Sequence, residues 1–372
     1  MPTALKHRWS LAHNYLAGIT AGQWWRLLRA NRFAVDPVYW HRAAFVTLTS
    51  LLNSVYRRRE ERVYHEAVAK VQIADPPLFI LGHWRSGTTL VHNLMAQDTE
   101  TFAYPNTYQV VNPHTFLCTE EINTKRFAWM LPSKRLMDNM ELSFTSPQED
   151  EFAPCLMTLH SLYVGISFAR REDHYARYLT FKDVDPSELD AWKAAFFWFL
   201  KKLTYKYRRP LLLKSPPHTA RIRLLLEMFP EARFVHIHRH PYRVFQSFRH
   251  YFDTAMWHTY LQRPDLDGVD ERIIRRYKAL YDAFFEDRNL IPSGRFHEVC
   301  FEDLERDPVG ELRRIYERLH LPAFSRFQPK LQRYVGALAG YQKNRFAELQ
   351  PEEKKKLAKA WARSFDTWGY PA

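Results

Sequence analysis

Between Gly82 and Gly87 the chain places His83, Trp84, Arg85 and Ser86, and two threonines, Thr88 and Thr89, follow directly. The apolar run Leu78–Leu81 leads in, and Thr88 to Ala96 reads as a helix leading out. A strand that enters a two-glycine loop and leaves it as a helix points backbone N–H groups at whatever sits above them, which favours a phosphate. The spacing is that of a nucleoside-triphosphate loop. Thr88, however, stands where that chemistry needs a lysine on the β- and γ-phosphates, and the positive charge is inside the loop, on Arg85. The later apolar run Phe234–Ile237 ends in His238 and Arg239 rather than in a magnesium-binding aspartate. A P-loop-type nucleotide kinase is therefore the second reading. The first is a site for one phosphate carrying a leaving group, with Arg85, Ser86, Gly87, Thr88 and Thr89 as its contacts and no metal.

A second basic segment runs from Arg233 to His250, with four arginines, four histidines and no acidic residue. Arg239 falls at the end of a strand and Ser247 about two helical turns into the next helix. A loop folding back over that helix would bring both onto one phosphate.

Gly82-His83-Trp84-Arg85-Ser86-Gly87-Thr88-Thr89-Leu90 resembles the phosphosulfate loop of sulfotransferases that use 3′-phosphoadenosine 5′-phosphosulfate (PAPS). Arg239 with Ser247 resembles their 3′-phosphate motif. Leu213–His218, Phe301–Leu304 with Asp307-Pro308, and Tyr341-Gln342-Lys343-Asn344-Arg345 are also similar to family segments, the last to the basic stretch that closes over the 3′-phosphate. The similarity covers roughly residues 76–345 and is greatest to a bacterial group. It implies PAPS as donor, PAP as product, donor contacts from Lys343, Asn344 and Arg345, and a sulfuryl group moved to an acceptor hydroxyl. Where cytosolic members carry a lysine this chain has Arg85, whose guanidinium can meet the same charge bidentately.

Such a transfer needs a base for the acceptor proton. The resemblance offers a histidine shortly after a lysine; here Lys214 is followed by His218, beyond two prolines. The residues themselves offer Glu149 and Glu151 in Ser146-Pro147-Gln148-Glu149-Asp150-Glu151. That stretch also reads as a helix start, with Ser146 as N-cap, Pro147 at the first position and Glu149 closing a capping box. Glu149, Glu151 and His218 all stand as candidates.

These groups need a frame. Apolar runs at Leu78–Leu81, Leu211–Leu213 and Phe234–Ile237 are short enough for buried parallel strands. Phe296–Phe301 is a fourth strand. Helical stretches fall at Pro186–Tyr207, 218–229, from Pro241, at 270–289 and at Pro308–His320. The alternation predicts an α/β fold: a P-loop-like parallel sheet flanked by helices, interrupted by an insertion between Gln97 and Asp185 that faces the acceptor. The domains are then 1–75, a helical region, and 76–372, the transferase domain.

Residues 1–75 carry 11 Lys/Arg against 5 Asp/Glu. Asp36-Pro37 reads as a helix start, and Phe45, Leu48, Leu52 and Val55 make one apolar stripe ahead of Arg57, Arg58 and Arg59. This stripe either packs on the domain or rests on a membrane surface. The apolar uncharged run 43–56 is too short to span a bilayer, and the first twenty residues lack the pattern of a signal peptide. Three scattered cysteines suit a reducing compartment, so the expected location is the cytoplasm, with peripheral membrane contact left open.

The whole chain has 372 residues, 46% hydrophobic and 15% aromatic, and a net charge of +13. That composition supports a large core and excludes wholesale disorder. The basicity suits an anionic partner. An anionic donor accounts for much of it, and with the aromatics scattered through helices a nucleic-acid partner is not expected. The aromatic insertion suits a small-molecule or lipid-like acceptor.

Overall fold

The computed structural model describes residues 5–11, 14–127, 140, 143–340, 344 and 346–372. Its centre is four short strands: β1 (Leu78–Leu81), β2 (Leu212–Lys214), β3 (Arg233–His238) and β4 (Phe296–Cys300). All pairings are parallel, in the order β2-β1-β3-β4. Ile80 sits between Lys214 and Val235. The chain runs from β1 outward to β2, then crosses back past β1 to β3, so the winding reverses between β1 and β3. Ligands of open parallel sheets settle at the carboxyl ends of strands flanking such a reversal. Both basic segments read from the sequence follow those two strands.

Strand side chains alternate between two apolar layers, as period-two geometry requires. Phe79, Leu81, Leu213 and Phe234 join Trp192, Phe196, Phe199, Tyr277 and Phe284 on one face. Leu78, Ile80, Leu212, Val235 and Ile237 join Val91 and Leu94 of helix α3 (Thr88–Met95), with Ile315 and Phe327, on the other. The long helix Pro186–Tyr207 starts where its sequence says: Asp185 accepts a hydrogen bond from the Ser187 amide at 2.8 Å, with proline at the first position.

The N-terminal region contains α1 (Ala21–Ala30) and α2 (Trp40–Ala69). Tyr15, Leu16, Trp24, Leu27 and Val46 belong to the same apolar cluster as Phe79 and Phe199. Asp36 stands at the N-cap and Pro37 at the first position, as the sequence predicts, but the cap carries no side-chain hydrogen bond. Pro37 opens a short 3-10 turn, and the Asp36 carboxylate takes both Arg170 nitrogens at 2.9 Å instead of the helix amides. The stripe on α2 is also informative: Phe45 is partly buried, while Leu48, Leu52 and Val55 face outward. No described helix is long and apolar enough to cross a membrane.

The insertion holds several short helices, including Thr107–Val111, Phe116–Arg126 and Phe152–Thr158. The last begins six residues after Ser146, with Glu151 at its N-cap and no side-chain cap. The capping box expected at Ser146–Glu149 therefore does not form. Pro147 is held in an antiparallel bridge with Asn106, which keeps the backbone extended and frees the Glu149 side chain for other partners.

Candidate active site

The loop after β1 is locked from several sides. The Gly82 amide donates to Thr219 Oγ1 at 2.7 Å, and the His83 amide to Tyr281 Oη at 3.3 Å. The Ser86 hydroxyl donates to the His83 carbonyl at 2.8 Å. Gly87 has φ +109°, and a Cβ there would lie 2.4 Å from the Phe301 ring, so the loop needs glycine at that point for both conformation and room. Thr88 and Thr89 then open α3, where the first amides have no intrahelical acceptor. His83 is fully buried, and burial brings its pKa down to about 3, so it stays neutral and lends the loop no charge.

Arg85 carries the loop's cation, and it adopts φ +72°. A non-glycine residue in that region is uncommon and costs about 1 kcal/mol or more. Its side chain lies in the second basic site: Nε donates to Ser247 Oγ at 2.9 Å. Arg239 closes the group by donating from Nη1 to the Arg85 carbonyl at 3.4 Å. The Arg239 guanidinium stacks over Phe301 at 4.1 Å, its Nε is buried with no hydrogen-bond partner among the described residues, and burial lowers its pKa. A desolvated guanidinium with an idle donor favours a bound anion. Arg85, Ser247 and Arg239, separated by up to 162 positions, are thus one cluster.

Near this cluster, residues 346–347 lie against the helix that carries Ser247 (Pro241–Thr254). The Ala347 carbonyl accepts from Gln246 at 2.5 Å, and the Phe346 ring meets His250. Asn344 is partly buried just before them. Lys343 and Arg345 lie outside the described residues.

The acidic cluster separates into three environments. Asp150 is buried and accepts from the His218 ring, the Lys214 amide at 3.0 Å and the Ser215 hydroxyl at 3.1 Å. Attraction to the histidine and its hydrogen bond outweigh burial and lower the Asp150 pKa. Glu151 is also fully buried, held by both Arg221 nitrogens at 2.7 and 3.1 Å and by Ser161 at 2.7 Å. Glu149 alone of the three is not fully buried. Its Oε1 meets Lys214 Nζ at 2.9 Å at the end of β2, and its Oε2 accepts from the Tyr163 phenol. Tyr163 also accepts from Trp84 Nε1 at 3.2 Å. A chain of contacts thus runs from the phosphate loop through Trp84 and Tyr163 to Glu149 and Lys214. Burial first, then the neighbouring Glu149 charge, raise the Tyr163 pKa well above a free phenol's, so Tyr163 remains a donor. Sequence reasoning passed over Tyr163 and Thr219, since no spacing marks a partner brought in from a distant turn.

Among the described residues no group of three or more His, Cys, Asp or Glu side chains could hold a metal ion.

Comparison with known proteins gives this geometry its context. Residues 76–326 match the family model described as "Sulfotransferase family". Two curated proteins, both named omega-hydroxy-beta-dihydromenaquinone-9 sulfotransferase Stf3, from Mycobacterium bovis and Mycobacterium tuberculosis, are 40% identical to this chain over 354 residues. The match spans 95% of this chain and 90% of each of them. Among solved structures, sulfotransferase STF9 from Mycobacterium avium has a TM-score of 0.67 at 20% identity, covering 99% of this chain and 97% of its own. Sulfotransferase STF1 from Mycobacterium tuberculosis has a TM-score of 0.62 at 17% identity, covering 92% and 88%. At those identities the structures speak for the fold.

Proposed function

This chain belongs to the sulfotransferase family, and from that premise we propose that it moves a sulfuryl group from PAPS to the hydroxyl of a lipid-like alcohol. The donor assignment rests on the Arg85–Ser247 contact at 2.9 Å, which joins a phosphate loop to a second cationic site that has no other evident use. The loop amides and Arg85 meet the phosphosulfate. Arg239 and Ser247 meet the 3′-phosphate, and Lys343, Asn344 and Arg345 are the further contacts that the family resemblance implies for that group.

In the transfer, the acceptor oxygen forms a bond to sulfur while the bond from sulfur to the bridging phosphate oxygen breaks. Charge grows on the departing phosphate, where Arg85 and the loop amides stabilise it. The acceptor proton passes to the Glu149 carboxylate. Glu151 and His218 hold the frame: a carboxylate closed off by Arg221, and a histidine turned onto Asp150, are both sealed from a substrate. Lys214 orients Glu149 and supplies a cation near the transferring group.

The acceptor class follows from two observations. The related Stf3 proteins are named for an omega-hydroxy-beta-dihydromenaquinone-9. In this chain Trp84 stacks on Phe248, which packs on Phe252. Phe252 lines a cavity of about 280 Å³ with Ile166, Met256 and Leu266, whose wall also carries the charged Arg170, Glu172 and Arg272, so the apolar surface near the loop is the aromatic stack itself. The deciding assay supplies labelled PAPS with an omega-hydroxylated prenylquinone and with the same quinone lacking that hydroxyl. Label should enter the first alone. Equal labelling of both, or of neither while simple phenols react well, would overturn the acceptor assignment.

A further inference from the structure

Helix α2 is amphipathic in the inverted sense. Its inward side presents Arg42, Val46, Ser50 and Glu60, all buried. The polar members are fully engaged: Arg42 donates to the carbonyls of Trp257 and Tyr260 at 2.8 and 2.9 Å, and Glu60 pairs with Lys202 of the long helix. Its outward side presents Leu48, Leu51, Leu52 and Val55, each 54–66% exposed. At about 100° per residue these four centre on a line roughly opposite Val46 and Ser50. Trp40 flanks the line at 62% exposure, and Trp25 stands out from α1 at 60%, its ring against the exposed Phe33. Scattered surface leucines need no explanation, but a continuous apolar stripe on a soluble surface marks an interaction site.

The occupant is indicated by what continues the stripe. One turn further along the same line come Arg59 and Arg62, with Arg58 on its flank, all exposed. An apolar strip with tryptophans on its border, ending in arginines, has the chemistry of a helix lying in the plane of an anionic lipid surface. Leucines enter the acyl boundary and guanidinium groups meet phosphate headgroups. A protein partner of the same stripe would not call for this ordering of apolar, aromatic and cationic groups along one face.

We propose that α2, with Trp25 of α1, is a docking face for an anionic membrane surface. The chain would thereby meet membrane-dissolved substrates through a helix lying on the surface. Binding is independent of the transfer chemistry, so it is measured with neither donor nor acceptor present.

The experiment is co-sedimentation of the full chain with vesicles of phosphatidylcholine, alone or with 30% phosphatidylglycerol (about one lipid in three), at low and high salt. The wild type should bind the mixed vesicles at low salt and lose affinity as salt screens the headgroups. Leu48→Glu with Leu52→Glu should weaken binding about tenfold or more. Arg59→Gln with Arg62→Gln should weaken it about fivefold per charge and flatten the salt dependence. Thermal melts and turnover of a water-soluble short-chain acceptor should be unchanged in both variants. Absence of wild-type binding to the mixed vesicles at low salt overturns the proposal. So does a dimer in sedimentation velocity that the leucine variant dissolves, which would make the face a contact between two copies of this chain.

Discussion

Glu149 and Lys214 form an ion pair of 2.9 Å at the carboxyl end of β2, although 65 residues separate them in the chain. The pair is tied to the phosphate loop through Tyr163 and Trp84. In the proposed transfer Glu149 takes the acceptor's proton, and the pair sets it apart from two acidic neighbours committed to the core.

The first prediction follows from that separation. Glu149→Gln should lower kcat of the folded protein on the order of a hundredfold, and it should also cost some stability, because the buried Lys214 ammonium is left against a neutral partner. Glu151→Gln should act mainly on folding: it leaves Arg221 buried against a neutral partner, a change that costs about 3 kcal/mol. Urea denaturation and steady-state rates on both variants separate the two. Wild-type kcat in a folded Glu149→Gln protein would remove Glu149 as the base.

Arg85 is expected to act mainly in the transition state. Arg85→Ala should reduce kcat about a hundredfold or more. Arg85→Lys should recover part of that, since a lysine keeps the charge but loses the Nε contact to Ser247. If both variants turn over like the wild type, the loop's cation has no part in the chemistry.

No step proposed here uses a divalent ion. Turnover should therefore be the same in EDTA and in added magnesium. Loss of activity in EDTA, restored by magnesium, would contradict the charge assignment to Arg85.

Much of the frame was legible from residue order alone. Leu78–Leu81 could only be a buried strand once two glycines and a helix followed it. The long helix starts at Pro186 in the structure as in the sequence reading, because its cap, Asp185, is the adjacent residue. Glu149 was less legible, because local chemistry offered a capping box that the Asn106–Pro147 bridge rules out. Its actual partners arrive from β2 and from a turn after the helix Phe152–Thr158. The apolar stripe on α2 was visible as a period, but a period does not say which side faces the core. Here Arg42 and Glu60 face inward because Trp257, Tyr260 and Lys202 satisfy them there.

Buried histidines give the protein an acid limit. Desolvation lowers the fully buried His83 and His92, and the partly buried His114, to about 3 each, from an unfolded value of about 6.5. The unfolded chain then binds more protons than the folded one between those values. Stability is fully present above about pH 6.5 and falls as pH drops below it, by about 1.4 kcal/mol per pH unit for each histidine. Denaturation midpoints should fall steeply from pH 6.5 to pH 5, and less so in His114→Gln, which lies away from the loop. An identical slope in that variant would contradict the assignment.

The central claim is that Arg239 and Ser247 bind a 3′-phosphate, which separates PAPS from nucleotides with a 5′ group alone. Arg239 has a buried Nε without a partner among the described residues, and an arginine–phosphate contact there should contribute about 2 kcal/mol, or about thirtyfold in affinity. Titration calorimetry of 3′,5′-bisphosphoadenosine and of AMP, on wild type and on Arg239→Ala, measures this directly. The wild type should prefer the bisphosphate by about thirtyfold or more, and the variant should lose most of that preference. Equal affinity of the wild type for both nucleotides would contradict the 3′ site and, with it, PAPS as the donor.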